Sequence, residues 1–282
     1  MQSILHKTNF LSENKLTDIA KRRSISPSEI ITFEECPHKW KLIYVDRLSK
    51  FETNIDFLFG KAAHEAIQNA FIDKNIERVQ EFYKLFSDYI EKEKDNLKKK
   101  DFDKIDELVL DAHSIFDNFD ISELVDLKEV EDVAVEEKLV ETINPRWVFS
   151  GRLDLIFRVE NKIKIWDIKT AKSAWKIDKK GNIAILSQPI LYKVFWTKKY
   201  NFEKIRDVST AFLILKKKAR ENEHIELFPV SSGPIAIQRC VNNMNYSINC
   251  IEKQKFLKSF NKYVCKWCEF NNTDHCVGEK SF

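Results

Sequence analysis

GRLDLIFRVENKIKIWDIKT, Gly151 to Thr170, is the stretch on which the fold turns. Apolar and polar residues alternate on both sides of Glu160-Asn161, which predicts two antiparallel strands joined by a two-residue turn. Residues equidistant from that turn oppose each other, so Asp154 faces Asp167, with Cβ atoms about 4.5–5.5 Å apart. Lys169 lies two positions beyond Asp167 and shares its face, beside Ile156, Ile163 and Ile165. The other face carries Leu153, Leu155, Phe157, Trp166 and Ile168. Strands that are apolar on both faces belong in the middle of a sheet. Two carboxylates held together inside a sheet repel each other unless positive charge lies between them. A hard divalent cation, Mg²⁺ or Mn²⁺, would relieve that repulsion and could activate a water against a phosphate, with Lys169 orienting the nucleophile. A structural ion pair of Asp154 with Arg152 or Lys169 is the alternative that the hairpin leaves open.

Outward from the hairpin, Ser26-Pro27-Ser28-Glu29 has the form of a helix start with a capping box. The helix runs through Ile30, Phe33, Trp40 and Tyr44 with an interruption near Pro37. A second helix begins near Phe57 and carries Gly60, His64, Ile67 and Phe71 on successive turns. Two charged helices are expected from Asn75 to about Phe119, then a strand from Val130, and a turn at Asn144-Pro145. After the hairpin come a helix over Ala184 to Tyr200, a strand over Val208 to Lys216 and a long helix over Pro234 to Lys258. That order predicts a mixed α/β core with a helical insertion.

Composition excludes several classes. With 43% apolar residues the chain can build a sizeable core, yet no stretch approaches the roughly 18 apolar residues of a membrane span. A polar N-terminus without a signal-peptide pattern predicts a soluble, cytoplasmic protein with no membrane partner. Only 5 glycines occur, and neither GxxxxGK[ST] nor GxGxxG is among the motifs, which argues against a glycine-rich phosphate loop. The net charge of +3 conceals an asymmetry. Asp101 to Glu141 holds 15 acidic residues against 3 lysines, whereas Asn161 to Arg220 holds 16 basic residues against 4 acidic ones. The basic half is expected to meet phosphates while the acidic half faces elsewhere; two oppositely charged solvated faces are the plainer reading.

Gly151-Arg152-Leu153-Asp154 and Asp167-Ile168-Lys169 resemble motifs II and III of the PD-(D/E)xK nuclease superfamily in its RecB-like branch. Gln188-Pro189-Ile190-Leu191-Tyr192 is similar to that branch's Gln-x-x-x-Tyr motif, and Gly60-Lys61-Ala62-Ala63-His64-Glu65 to its Gly-x-x-x-His-Glu motif. The resemblance covers Ser26 to Tyr192. It implies a restriction-endonuclease-like mixed central sheet flanked by helices, with Asp154, Asp167, Lys169, Gln188 and Tyr192 as catalytic residues. It also implies a metal held by His64, Asp154 and Asp167. The activity implied is that of a metal-dependent DNA exonuclease, more than an endonuclease, serving repair, recombination or CRISPR adaptation beside a helicase or integrase.

Cys265, Cys268 and Cys276 form C-x2-C-x7-C, a metal-ligand spacing that lacks a fourth donor. Spacing leaves iron–sulphur and zinc open, and Cys36, His38, Cys240, Cys250 and His275 as the fourth ligand. RecB-like nucleases with an iron–sulphur cluster place one cysteine before the nuclease motifs and three at the C-terminus. That resemblance implies a 4Fe-4S cluster on Cys36, Cys265, Cys268 and Cys276, joining the ends of the chain. The domain reading is an extension over 1–25 and one nuclease domain over 26–282, with a helical insertion at 73–128 and a cluster-binding tail at 259–282.

Lys172 and Lys176 are expected to grip phosphates, and Trp175 between them to stack on an unpaired base or else to pack in the core. No base-reading element is evident, which points to single-stranded DNA or DNA ends without sequence preference. Two other functions remain open at this point: a catalytically inactive nuclease-like module that binds DNA or a partner, and a zinc-stabilised structural protein.

Overall fold

Proline and a single cysteine shape the first two helices. In this computed structural model, which describes residues 22–48, 52–117, 122, 124–126 and 128–276, Ser26 caps helix α1 (Pro27–Glu35) by accepting the Glu29 N–H at 3.2 Å. Pro37 disfavours helical geometry at the residue before it, so Cys36 is extended (φ −160°, ψ 106°) and α1 stops there. The Cys36 Sγ then accepts the Lys39 N–H at 3.4 Å and opens α2 (Pro37–Tyr44). Further along come α3 (Ile55–Ile72), α4 (Arg78–Glu93), the short α5 (Lys99–Phe102) and α6 (Ile105–Phe116).

Six strands make one mixed sheet: β1 (Arg23–Ile25), β2 (Val130–Asn144), β3 (Trp147–Val159), β4 (Lys162–Ala171), β5 (Val208–Lys216) and β6 (Ile225–Val230). The expected hairpin register holds, with Leu155 opposite Trp166 and Val159 opposite Lys162. Glu160 takes the left-handed conformation (φ 53°) that the tight turn demands. β4 runs parallel to β5, and β6 returns antiparallel to it.

Strand β3 is the organising element. One of its edges pairs with β2 along nearly its whole length. The other edge is shared: β1 pairs in parallel with Trp147 to Phe149, and β4 pairs with Leu155 to Val159. Between these two segments, Ser150 to Asp154 have no strand partner on that edge among the described residues. The sheet therefore has a notch, and Asp154 stands at its rim. Strand β1, Arg23 to Ile25, precedes Ser26 and belongs to the sheet; residues 1–21 of the expected extension lie outside the described residues.

The sheet is covered on both sides. Helices α3, α4 and α6 bury Phe59, Phe71, Phe82 and Phe116 against Leu155, Phe157, Trp166 and Ile168. On the opposite side α1, α2, α8 (Ile183–Lys199) and α9 (Pro234–Glu252) pack over Phe149, Ile156, Ile165 and Phe212. Each fully buried side chain of this size contributes about 1.5–3 kcal/mol. Leu153 departs from the expected alternation, packing with Ile156 instead of Leu155. Strand β3 thus changes face at Asp154, and the carboxylate emerges where the two layers meet. The remaining helices are the one-turn α7 (Ile177–Lys180) and α10 (Lys262–Lys266). No helix among the described residues is long and apolar enough to cross a membrane.

Candidate active site

Four elements converge on the notch. Asp154 comes from β3, Asp167 and Lys169 from β4, His64 from α3, and Gln188 with Tyr192 from α8. The main-chain ladder of the hairpin ends at Leu155–Trp166, one pair short of the two aspartates. There the Asp154 carboxylate takes over, with Oδ2 accepting the Ile168 N–H at 2.8 Å. Asp167 is 1% exposed, and its Oδ1 accepts a hydrogen bond from Gln188 Nε2 at 2.8 Å. Lys169 Nζ lies 2.6 Å from Asp167 Oδ2 and forms an ion pair with that buried oxygen. His64 Nδ1 is 3.6 Å from Asp154 Oδ2. The alternative pairing with Arg152 is not made, because Arg152 turns to Glu136 at 3.5 Å.

Two glycines admit these neighbours. A Cβ on Gly151 would stand 2.6 Å from Cε1 of Tyr192, and one on Gly60 would stand 3.2 Å from Thr170 Oγ1. Gly151 thus lets the tyrosine ring settle over the open edge of β3, and Gly60 lets α3 approach β4. Tyr192 in turn lies 3.3 Å from Gln188 Nε2, holding the amide against Asp167.

The electrostatics follow from burial. Desolvation pushes both Asp154 and Asp167 up to about 6, with Lys169 opposing the shift in each case. Burial lowers His64 to about 4, assisted by Lys169, so the imidazole is neutral near pH 7. Burial also works against the charge on Lys169, but Asp167 and Asp154 outweigh it and raise its pKa. Two largely desolvated carboxylates and a neutral imidazole suit a hard divalent cation in chemical type. Among the described residues, however, no three His, Cys, Asp or Glu side chains close around a point that an ion could occupy. Lys169 lies against Asp167 instead.

Glu136 escaped the sequence reading. It sits on β2 with φ 51°, lines the same cleft as His64 and Lys169, and raises the pKa of Asp154. Gln68 ties it in by donating to both Glu136 Oε1 and the Asp154 carbonyl at 2.8 Å. Counting outward from Pro145-Arg146 would have placed Glu137 across from Asp154. A register shift between Thr142 and Asn144 moves Glu136 into that position, because Glu137 pairs with Leu153. Glu65 also bears on the cleft, accepting a hydrogen bond from Tyr89 on α4.

The four cysteines named for a cluster meet at one pocket, lined by Cys36, Cys265, Cys268 and Cys276 with Leu42 and Phe270. Cys36 Sγ accepts the Ser259 N–H at 3.4 Å, and Cys265 Sγ donates to the Ser259 carbonyl at 3.5 Å. All are free thiols, so the donor chemistry suits either iron–sulphur or zinc, although the sulphurs do not close around a common centre. His275 is not in the pocket wall; its carbonyl lies 3.1 Å from His38 Nε2. Cys240 and Cys250 are buried elsewhere, and burial pushes Cys240 up to about 11.

Lys172 and Lys176 are exposed, as a phosphate-binding role needs. Trp175 is not. It is 7% exposed, packs on Phe212 at 5.1 Å and carries Lys179 over its ring at 4.1 Å, so it belongs to the core and cannot stack on a base here. The expected separation of charge also needs correction. Lys218 pairs with Glu107 and Asp111, and Lys199 with Glu137, so part of the basic half is engaged by the acidic half.

A model of the PD-(D/E)XK nuclease superfamily matches residues 24–273. Among solved structures, a candidate exonuclease from Eubacterium rectale superposes with TM-score 0.55 at 11% identity, covering 93% of each chain. The protein SSO0001 aligns over 95% of this chain and 90% of its own at 13% identity, with a TM-score of 0.44 that carries no weight. No curated protein sequence matches.

Proposed function

Because the chain belongs to the PD-(D/E)XK nuclease superfamily and has its restriction-endonuclease-like sheet, we propose that it is a divalent-metal-dependent DNA exonuclease acting at Asp154, Asp167 and Lys169. The observation that carries this reading is the meeting of those three side chains, Asp167 buried and Asp154 and Lys169 partly so, at the stretch of β3 edge left open among the described residues. Mg²⁺ or Mn²⁺ held by Asp154, Asp167 and His64 would supply a polarised phosphate oxygen and an activated water. The chain's own residues do the rest. His64 offers a neutral nitrogen because burial keeps it unprotonated. Gln188 fixes the Asp167 carboxylate through Oδ1, which leaves Oδ2 facing Lys169. The Lys169 ammonium remains charged between two carboxylates and so can orient a nucleophilic water or stabilise charge on the phosphate. Tyr192 steadies Gln188, and exposed Lys172 and Lys176 provide phosphate contacts without base recognition.

Single-stranded DNA or DNA ends are the substrate this reading favours, since no base-reading motif is evident in the sequence. The thiol pocket is read as a 4Fe-4S site on Cys36, Cys265, Cys268 and Cys276; iron and acid-labile sulphide in anaerobically purified protein support it, and stoichiometric zinc overturns it. For the nuclease itself, end-labelled single- and double-stranded DNA are incubated with Mg²⁺ or Mn²⁺. Asp154→Ala and Lys169→Ala should each slow degradation at least about a hundredfold while circular dichroism shows unchanged folding. Full activity in either variant, or DNA bound but never cut by the wild-type protein, would remove the reading.

A further inference from the structure

The segment from Lys253 to Trp267 is basic and aromatic; it lies apart from the aspartates and Lys169, while Lys258, Phe260 and Cys265 within it border the thiol pocket. It contains Lys253, Lys255, Lys258, Lys262 and Lys266, and no acidic residue. All five lysines are exposed, and among the described residues none of them forms an ion pair. Interleaved with them, Phe260 is 71% exposed, Tyr263 86% and Trp267 82%. Large aromatics this open ordinarily sit on unanchored chain, but this backbone is held down. Phe256 stacks on Trp40 at 5.6 Å, the Leu257 carbonyl accepts the His38 N–H at 3.2 Å, and the Ser259 N–H binds Cys36 Sγ. Helix α10 then carries Tyr263 with Lys262 and Lys266, and Trp267 follows at its C-terminal cap with Lys266 Nζ 5.3 Å from the ring centroid.

We infer that this surface binds single-stranded DNA, stacking unpaired bases on Phe260, Tyr263 and Trp267 while the lysines follow the phosphates. The inference deepens the nuclease reading and rests on it for the choice of DNA. Charge selects a polyanion, and exposed ring faces select one whose bases are not already stacked in a duplex. A protein partner would leave five unopposed lysines to be matched by a complementary acidic surface, and would not require flat rings spaced along a basic track. The rings also occupy the role that the buried Trp175 cannot take.

The test uses the intact, metal-loaded protein and a labelled oligothymidylate of about 20 nucleotides, beside a blunt duplex, with no divalent cation added. Phe260→Leu with Tyr263→Leu keeps the apolar bulk and removes the rings; it should weaken oligothymidylate binding about tenfold or more and leave duplex binding within about twofold. Lys258→Gln with Lys262→Gln should lower the slope of log K against log salt by about 1.4. In a separate assay with Mg²⁺ or Mn²⁺ added, both pairs should keep wild-type hydrolysis of bis(p-nitrophenyl) phosphate, a diester small enough to need only the reaction centre. Unchanged affinity and slope overturn the inference, as does equal weakening toward duplex. Loss of self-association or partner binding with DNA affinity intact overturns it too. A wild-type protein that cuts neither substrate once Mg²⁺ or Mn²⁺ is added in a parallel assay would instead count against the nuclease reading, because the binding comparison does not depend on cleavage.

Discussion

Gly151 and Tyr192 show how two short motifs from distant parts of the chain can be one physical object. The ring occupies space that any Cβ at position 151 would claim, since the gap to Cε1 would be 2.6 Å. Gly151→Ala should therefore destabilise the protein by about 1–3 kcal/mol in urea unfolding and disturb the hold of Gln188 on Asp167. The same substitution in a Tyr192→Ala background should cause little further loss, and that non-additivity distinguishes a steric clash from a general effect of removing glycine. At this scale the sequence was highly informative. Asp154, Asp167, Lys169, His64, Gln188 and Tyr192 all converge, because motif residues reach the site through local strand and helix geometry. Trp175 stayed between two readings in the sequence, since a tryptophan between lysines looks the same whether its ring faces solvent or turns inward onto Phe212, as it does.

Elements were legible where their signals were local. The hairpin turn, the cap at Ser26, the interruption near Pro37 and the helix carrying His64 follow from neighbouring residues. The edges of the sheet did not. β1 has only three residues, and its place beside Trp147 is a contact across more than a hundred positions. β6 contains Pro229, which is tolerated there as an edge-strand residue but weakens any strand pattern read from sequence. Helix α1 carries its own test. Glu29 has a raised pKa because burial outweighs the nearby Arg23 guanidinium, itself 4.8 Å from the ring centroids of Trp40 and Trp147. A carboxyl with a raised folded pKa binds more protons folded than unfolded. Its contribution to stability is therefore fullest at low pH and falls as pH rises from its unfolded value of about 4.3 through its folded one. Melting temperatures measured across that window should fall less steeply in Glu29→Gln than in wild type, with the two curves diverging toward neutral pH.

Across the whole molecule, Trp40 is the point where distant segments meet. Arg23 lies over its ring from the β1 side, Phe256 stacks on it from the C-terminal segment, and Cys36 beside it faces the pocket of Cys265, Cys268 and Cys276. Metal bound to these thiolates would add its binding energy to folding. Cys268→Ser should thus lose the bound metal and lower the melting temperature by at least about 5 °C, whereas Cys240→Ser, at a thiol buried away from the pocket, should retain the metal in full. Elemental analysis alongside thermal denaturation checks both. The meeting at Trp40 also governs how the molecule would bear mechanical load. Tension applied between the β1 segment and the segment around Leu257 falls first on contacts clustered about a single indole ring. Those contacts would share the load with the β1–β3 ladder, so a pull at these two places is felt directly by the strand that carries Asp154.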